Sequence, residues 1–348
     1  MQHMAAKPET FDYPRVAREL VKALRGRRSC AELSRRAGYR SNIVQRWESG
    51  HCYPTAARLL ALQRRLRPKG PSWLERFFTV TPPWLTKLDD AHSPAAVAAF
   101  LTHLKGKTST TRLAELSGHN RHSVARWLDG RAEPRLPDFL QLVDVESRRL
   151  LDLLASLEDP ARLPSVRPRW EQHQRLRQLA YDKPFSHAVL RALELPDAHR
   201  PMPEQARWIA ERLGVETHEV AALLTLLRDA GQVRRSRYGY RLIETSTVDT
   251  SRDPERARDL KVAWTETALS RLRDGAPGTF GYSLFAVSRA DLERLRALQL
   301  EYARAMQDVI AGSSPSECVG LYCVQLFDLH AGAVEPAGEA PRDQDGSD

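Results

Sequence analysis

The chain is poor in the residues that announce a chemistry. Only four cysteines, Cys30, Cys52, Cys318 and Cys323, stand among 348 residues. They are too few and too scattered for a disulfide framework, and no two form a C-x-x-C pair. Cys318 and Cys323 lie five apart, which on a strand places them on opposite faces and argues against a redox pair. No apolar run approaches the roughly 18 residues of a membrane span, and Met1 to Asp12 is polar, so neither a membrane segment nor a secretory signal is expected. No glycine-rich phosphate loop and no H-E-x-x-H stretch occurs. The histidines are dispersed: His119 and His122 share a turn, with no third ligand nearby. These absences set the expectation of a cytoplasmic protein that is not an enzyme and uses no cofactor or metal.

What is present is apolar content and unevenly placed positive charge. At 42% hydrophobic residues the chain has ample material for packed cores, and its length suggests two or three domains. The net charge is +9, but residues 1–70 alone hold 16 Lys and Arg against 5 Asp and Glu. Residues 71–145 hold 9 against 8. A basic excess confined to one short segment is the footprint of a polyanionic partner. A merely solvated arginine-rich surface is the blander reading, and the later arginine-rich segments differ in balancing their arginines with acids.

The sequence also repeats itself. Displaced by 80 residues, Leu24–Leu62 aligns without a gap on Leu104–Leu142, with 12 of 39 positions identical. Ordinary composition would give roughly two or three. Among the identities are Gly38/Gly118, Arg46/Arg126, Trp47/Trp127, Gly50/Gly130 and Pro54/Pro134. The shared glycines fall where a short helix must stop and turn.

In the first copy, Val16, Leu20, Val21 and Leu24 share a helical face, predicting a helix over about 14–24. Ser29 suits the N-cap of a second helix that buries Leu33 and Ala37 and stops at Gly38. A third helix is predicted over 41–49 with Val44 and Trp47 inward, and a fourth opens at Pro54-Thr55. Residues 29–54 resemble the helix-turn-helix family of the lambda Cro/CI repressor type. Val44-Gln45-Arg46-Trp47-Glu48-Ser49-Gly50 carries that resemblance, and Val124-Ala125-Arg126-Trp127-Leu128-Asp129-Gly130 is its weaker second edition. Where the family often has Gln at the second position of helix two, this chain has Cys30 and, in the second copy, Thr110. The resemblance implies DNA binding with the third helix in a major groove. The candidate contacts in the first copy are Arg35, Arg36, Arg40, Ser41, Asn42, Gln45 and Arg46; in the second they are Asn120, Arg121, His122 and Arg126. Arg grips guanine bidentately, and Asn or Gln grips adenine. The first copy is expected to be the main reader, since surplus charge surrounds only its exposed positions.

The predicted organisation is mainly α. A first Cro/CI-like domain (12–66) and a packed linker (67–93) precede a degenerate second domain (94–158), in which a helix runs from about Leu142 to Leu157. Residues 165–245 resemble a winged helix: three helices (187–195, 204–213, 217–230) and a hairpin over 233–242. Its third helix presents Glu216, Glu219, Ala221, Ala222 and Thr225, with no basic residue before Arg228, so a structural role is expected above DNA contact. A small α+β module (254–330) is predicted as helix 254–273, strand 279–287, helix 289–311 and strand 317–329. A disordered acidic tail (331–348) closes the chain. About 165–330 is similar to a domain of unknown function found in bacterial proteins behind a Cro/CI-type helix-turn-helix. The stretches Tyr282-Ser283-Leu284-Phe285-Ala286-Val287-Ser288 and Gln325-Leu326-Phe327-Asp328-Leu329 carry that likeness.

The expectation is therefore a sequence-specific binder of double-stranded DNA and a transcriptional regulator. The alternative is an interaction or sensor protein whose helix-turn-helix units bind a protein partner. A homodimer through the C-terminal half is also expected, because strands apolar on both phases leave an edge that invites pairing.

Overall fold

The computed structural model describes residues 11–78, 81–82, 84–243, 249–250 and 252–330. The expected tail (331–348) and most of the joint at 245–253 lie outside these residues. Among the described residues the protein is mainly helical with one small two-stranded sheet. The chain divides into two units, residues 1–263 with 314–319, and residues 264–313 with 320–348.

The first unit opens with α1 (Tyr13–Arg25), α2 (Cys30–Arg36), α3 (Ile43–Ser49), α4 (Ala56–Leu66) and α5 (Trp73–Phe77). The set then repeats as α6 (Pro94–Lys105), α7 (Thr110–Ser117), α8 (Arg121–Leu128), α9 (Leu136–Ser147) and α10 (Leu150–Leu157). Local chemistry repeats with it. Ser29 caps α2 by accepting from the Glu32 N–H, and Ser109 caps α7 by accepting from the Arg112 N–H. Gly38 (φ 87°) and Gly118 (φ 67°) both end the second helix in the left-handed region, where a side chain would be strained. Tyr39 meets Trp47 edge to face at 5.8 Å, and His119 meets Trp127 the same way at 5.1 Å.

The two sets share one hydrophobic core running from Tyr13 to Val166. The segment between the sets contributes to it: Trp73 and Phe77 are fully buried, with ring centroids 4.8 and 5.1 Å from Phe100 of α6. The single helix expected over 142–157 is instead two. Arg148, at φ 54°, ends α9, and the break lets α10 pack on α5, burying Leu150, Leu153, Leu154 and Leu157.

Helix α11 (Arg167–Asp182) leads to α12 (Phe185–Ala192), α13 (Glu204–Leu213), α14 (Thr217–Asp229) and the antiparallel hairpin of β1 (Val233–Ser236) and β2 (Gly239–Leu242). Gln205, wholly buried on α13, holds the hairpin. Its Nε2 donates to the Ala198 and Tyr240 carbonyls, and its Oε1 accepts from the Tyr240 N–H at 2.7 Å.

Helix α15 (Pro254–Arg273) and helix α16 (Arg289–Gly312) form as the pattern predicts. The strands expected over 279–287 and 317–329 do not: both segments are irregular and join no ladder. A strand apolar on both phases needs cover on both faces, yet Tyr282 is 93% and Leu284 76% exposed. Side-chain contacts tie the last segment instead: Gln299 donates to the Tyr322 hydroxyl at 2.8 Å, and Gln325 to the Thr265 hydroxyl at 3.2 Å. The sheet edge on which a homodimer was expected is thus not formed among the described residues.

Candidate nucleic-acid interface

Helix α3 is set on α2 by a buried serine. The Ser34 hydroxyl donates to the Cys30 carbonyl at 2.7 Å and accepts from the Val44 N–H at 3.1 Å, so one side chain closes the angle between the helices. Val44 and Trp47 anchor the inner face of α3 and are buried, as their helical phase predicts. A bidentate pair braces α3 on α1: Arg25 donates to Glu48 through Nε at 2.5 Å and Nη2 at 3.2 Å. That hydrogen bonding raises the Arg25 pKa above its already high ordinary value. The second copy has Leu128 in place of Glu48 and Ala114 in place of Ser34, so neither brace exists there. Ser34 was not singled out from the sequence; its spacing to Val44 becomes meaningful only once the turn is built.

With its inner face fixed, α3 and the turn before it present Arg40, Ser41, Asn42, Gln45 and Arg46, and the last turn of α2 presents Arg35 and Arg36, all exposed. The side chains of Arg35, Arg40 and Arg46 make no hydrogen bond or ion pair among the described residues. Arg36 is the exception, at 3.2 Å from Glu32. Asn42 does not cap α3; its Nδ2 donates to Gln45 Oε1 at 3.1 Å, which holds two amide side chains together on the exposed face. Unspent guanidinium donors beside an amide pair are the groups that read base edges and grip phosphates.

The second copy places Asn120, Arg121, His122 and Arg126 in the equivalent positions, all exposed. Here Asn120 is a cap: its Oδ1 accepts from the His122 N–H at 2.8 Å, so the oxygen half of its amide is already engaged. Among the described residues Arg121 and Arg126 have no side-chain partners. His119, the other histidine of this turn, packs on Trp127 and lies 3.9 Å from Asp138.

In the third helical set, the N-cap residue Glu216 and the α14 residues Glu219, Ala222 and Thr225 face outward, and Arg228 is held by Asp229 at 2.8 Å. Arg234, Arg235 and Arg237 are exposed on the hairpin. Apart from Arg228 at the end of α14, positive charge along these two elements sits on the hairpin.

Below this set lies a buried ionic centre that sequence reasoning did not anticipate. Asp152 of α10 receives Arg177 at 3.0 Å and Arg252 at 3.2 Å, with Arg149 at 3.4 Å and His173 at 3.8 Å. Burial alone would raise the Asp152 pKa. The nearby His173 ring and the charges of Arg252 and Arg149 outweigh it and bring the carboxyl to about 2. The centre ties α10 to α11 and to the segment entering α15. Among the described residues no group of three His, Cys, Asp or Glu is placed to hold a metal ion, and no helix is long and apolar enough to cross a membrane.

Comparison with known proteins places a likeness only in the later part of the chain. Residues 171–329, less than half of the sequence, match a family described as a domain of unknown function (DUF4423). No curated protein and no solved structure matches. The residues of α3 and α8 lie outside the matched segment.

Proposed function

We propose that this protein is a sequence-specific double-stranded DNA-binding protein and a transcriptional regulator, with α2 and α3 acting as a helix-turn-helix of the Cro/CI type and α3 as the main reader. The observation that carries the reading is the pairing of a braced helix with an unspent surface. Ser34 and the Arg25–Glu48 pair hold α3 in place, while Arg35, Arg40 and Arg46 face outward without partners among the described residues. Rigid placement of base-reading groups is what specificity requires, and surplus arginine supplies the phosphate-directed affinity. The segment 165–245, read as winged-helix-like, serves as a structural neighbour of the reading helices. Selection of bound duplexes from a random-sequence pool by the full chain tests the proposal. Enrichment of a defined consensus supports it. A pool that stays unenriched at low salt contradicts it and favours the reading in which these helices bind protein.

A further inference from the structure

The two copies meet through a reciprocal contact. The Ala56 N–H donates to the Pro134 carbonyl at 3.0 Å, and the Leu136 N–H donates to the Pro54 carbonyl at 2.9 Å. Thr55 and Arg135 thus form an isolated antiparallel bridge. Each residue of this exchange is the other's equivalent at the 80-residue repeat, so the bridge carries a local twofold axis. The helix pairings across the interface obey the same axis. Helix α1 packs on α9, and its counterpart α6 packs on α4; α4 meets α9, and α5 meets α10. This is an isologous interface, the geometry by which two identical chains form a closed dimer, here made within one chain. It also uses the first N–H groups of α4 and α9, which helix ends leave without internal partners. A shared core, with Trp73 packed on Phe100 and Phe139, leaves the halves no freedom to rearrange as tethered domains would.

We infer that one chain is an internal pseudo-dimer that binds a single duplex as a monomer, α3 and α8 entering successive major grooves of a site built from two unlike half-sites. The inference rests on the DNA-binding reading above. A twofold axis between reading helices suits half-sites about one helical turn apart, roughly 34 Å. Unlike residues on the two helices make the half-sites unlike. Gln45 is matched by Ala125, Asn42 by His122 and Ser41 by Arg121. Charge is also unlike: residues 12–66 hold 13 basic against 4 acidic groups, and 94–158 hold 9 against 8. The first half supplies most of the affinity, and the second fixes register and direction on the DNA.

The test uses the full chain and the duplex selected from the random pool. Sedimentation should give one chain per duplex, and strand-cleavage protection should span two successive major grooves without a palindrome. R121A/R126A should weaken binding about tenfold and erase protection of one half, with its melting temperature confirming a folded chain. Inserting five or ten base pairs between the halves should have the same effect, because the shared core does not stretch. Two chains on a palindrome, or full affinity and unchanged protection with R121A/R126A, overturns the inference while leaving the DNA-binding reading intact. Absence of binding to any duplex at low salt overturns both.

Discussion

Asn42 and Gln45 are the cleaner probes of the proposed reader, because both are exposed, although Asn42 Oδ1 also accepts from the Ser34 hydroxyl at 3.4 Å. Asn42→Ala or Gln45→Ala should cost about 1–3 kcal/mol on the selected duplex and relax base preference at one position, measured by competition with point-substituted duplexes. Arg121→Ala and His122→Ala should each cost less. Larger losses in the second copy would reverse the ranking of the two helices. Asp152 is a probe of stability instead. Its folded pKa is depressed, so its contribution is present above the ordinary carboxylate range and is lost as pH falls from about 4 to about 2. A shift from 3.8 to about 2 corresponds to about 2 kcal/mol. Urea unfolding across this window should show that loss, and Asp152→Asn should flatten it. Removing the carboxyl by Asp152→Ala should cost about 3–5 kcal/mol at neutral pH, since buried arginine charge is then left unpaired. An acid limb unchanged by Asp152→Asn would mean that other carboxylates govern it.

At the scale of elements, the hairpin depends on one close approach. Gly239 sits at φ 84°, and a Cβ there would lie 2.4 Å from Gln205 Oε1 and 2.5 Å from the Arg200 carbonyl oxygen. Gly239→Ala should destabilise the hairpin and α13 on the order of 2 kcal/mol, visible as lost amide protection at Tyr240. Retained protection would show that the Gln205 clamp yields. Helices announced by phase and caps were legible in the sequence: Val44 and Trp47 gave the inner face of α3, Ser29 the start of α2, and the hairpin followed from Gly231 and the Val233–Leu242 run. The break at Arg148 was not legible, because a non-glycine residue at positive φ leaves no compositional mark. Nor were the irregular segments around Tyr282 and Val324. Apolar density on both phases reads as a covered strand, but whether a ladder partner exists is a long-range fact. The exposed face of α3 was legible from phase alone, whereas the brace at Ser34 and the ionic centre at Asp152 join residues far apart in sequence or across a turn.

At the scale of the molecule, the 80-residue repeat is an assembly, and the bridge at Thr55 and Arg135 is its centre. Because both copies share one core, residues 11–166 should unfold in a single transition within the full chain, with tryptophans 47 and 127 reporting the same midpoint. Tyr13 spans the interface, its hydroxyl donating to Asp144 at 2.8 Å. Tyr13→Phe should lower stability by about 1 kcal/mol for both copies together. Separate midpoints for the two tryptophans would show that the copies are independent domains. The central claim, that the basic first copy grips DNA through α3 and its flanks, is tested most directly by salt. Affinity of the full chain for the selected duplex, measured by fluorescence anisotropy between about 50 and 200 mM salt, should fall linearly on logarithmic axes by about 0.9 per phosphate contact. Arg35→Ala with Arg40→Ala should make that slope shallower by one to two such steps. A slope near zero, or one that the double substitution leaves unchanged, would contradict the account.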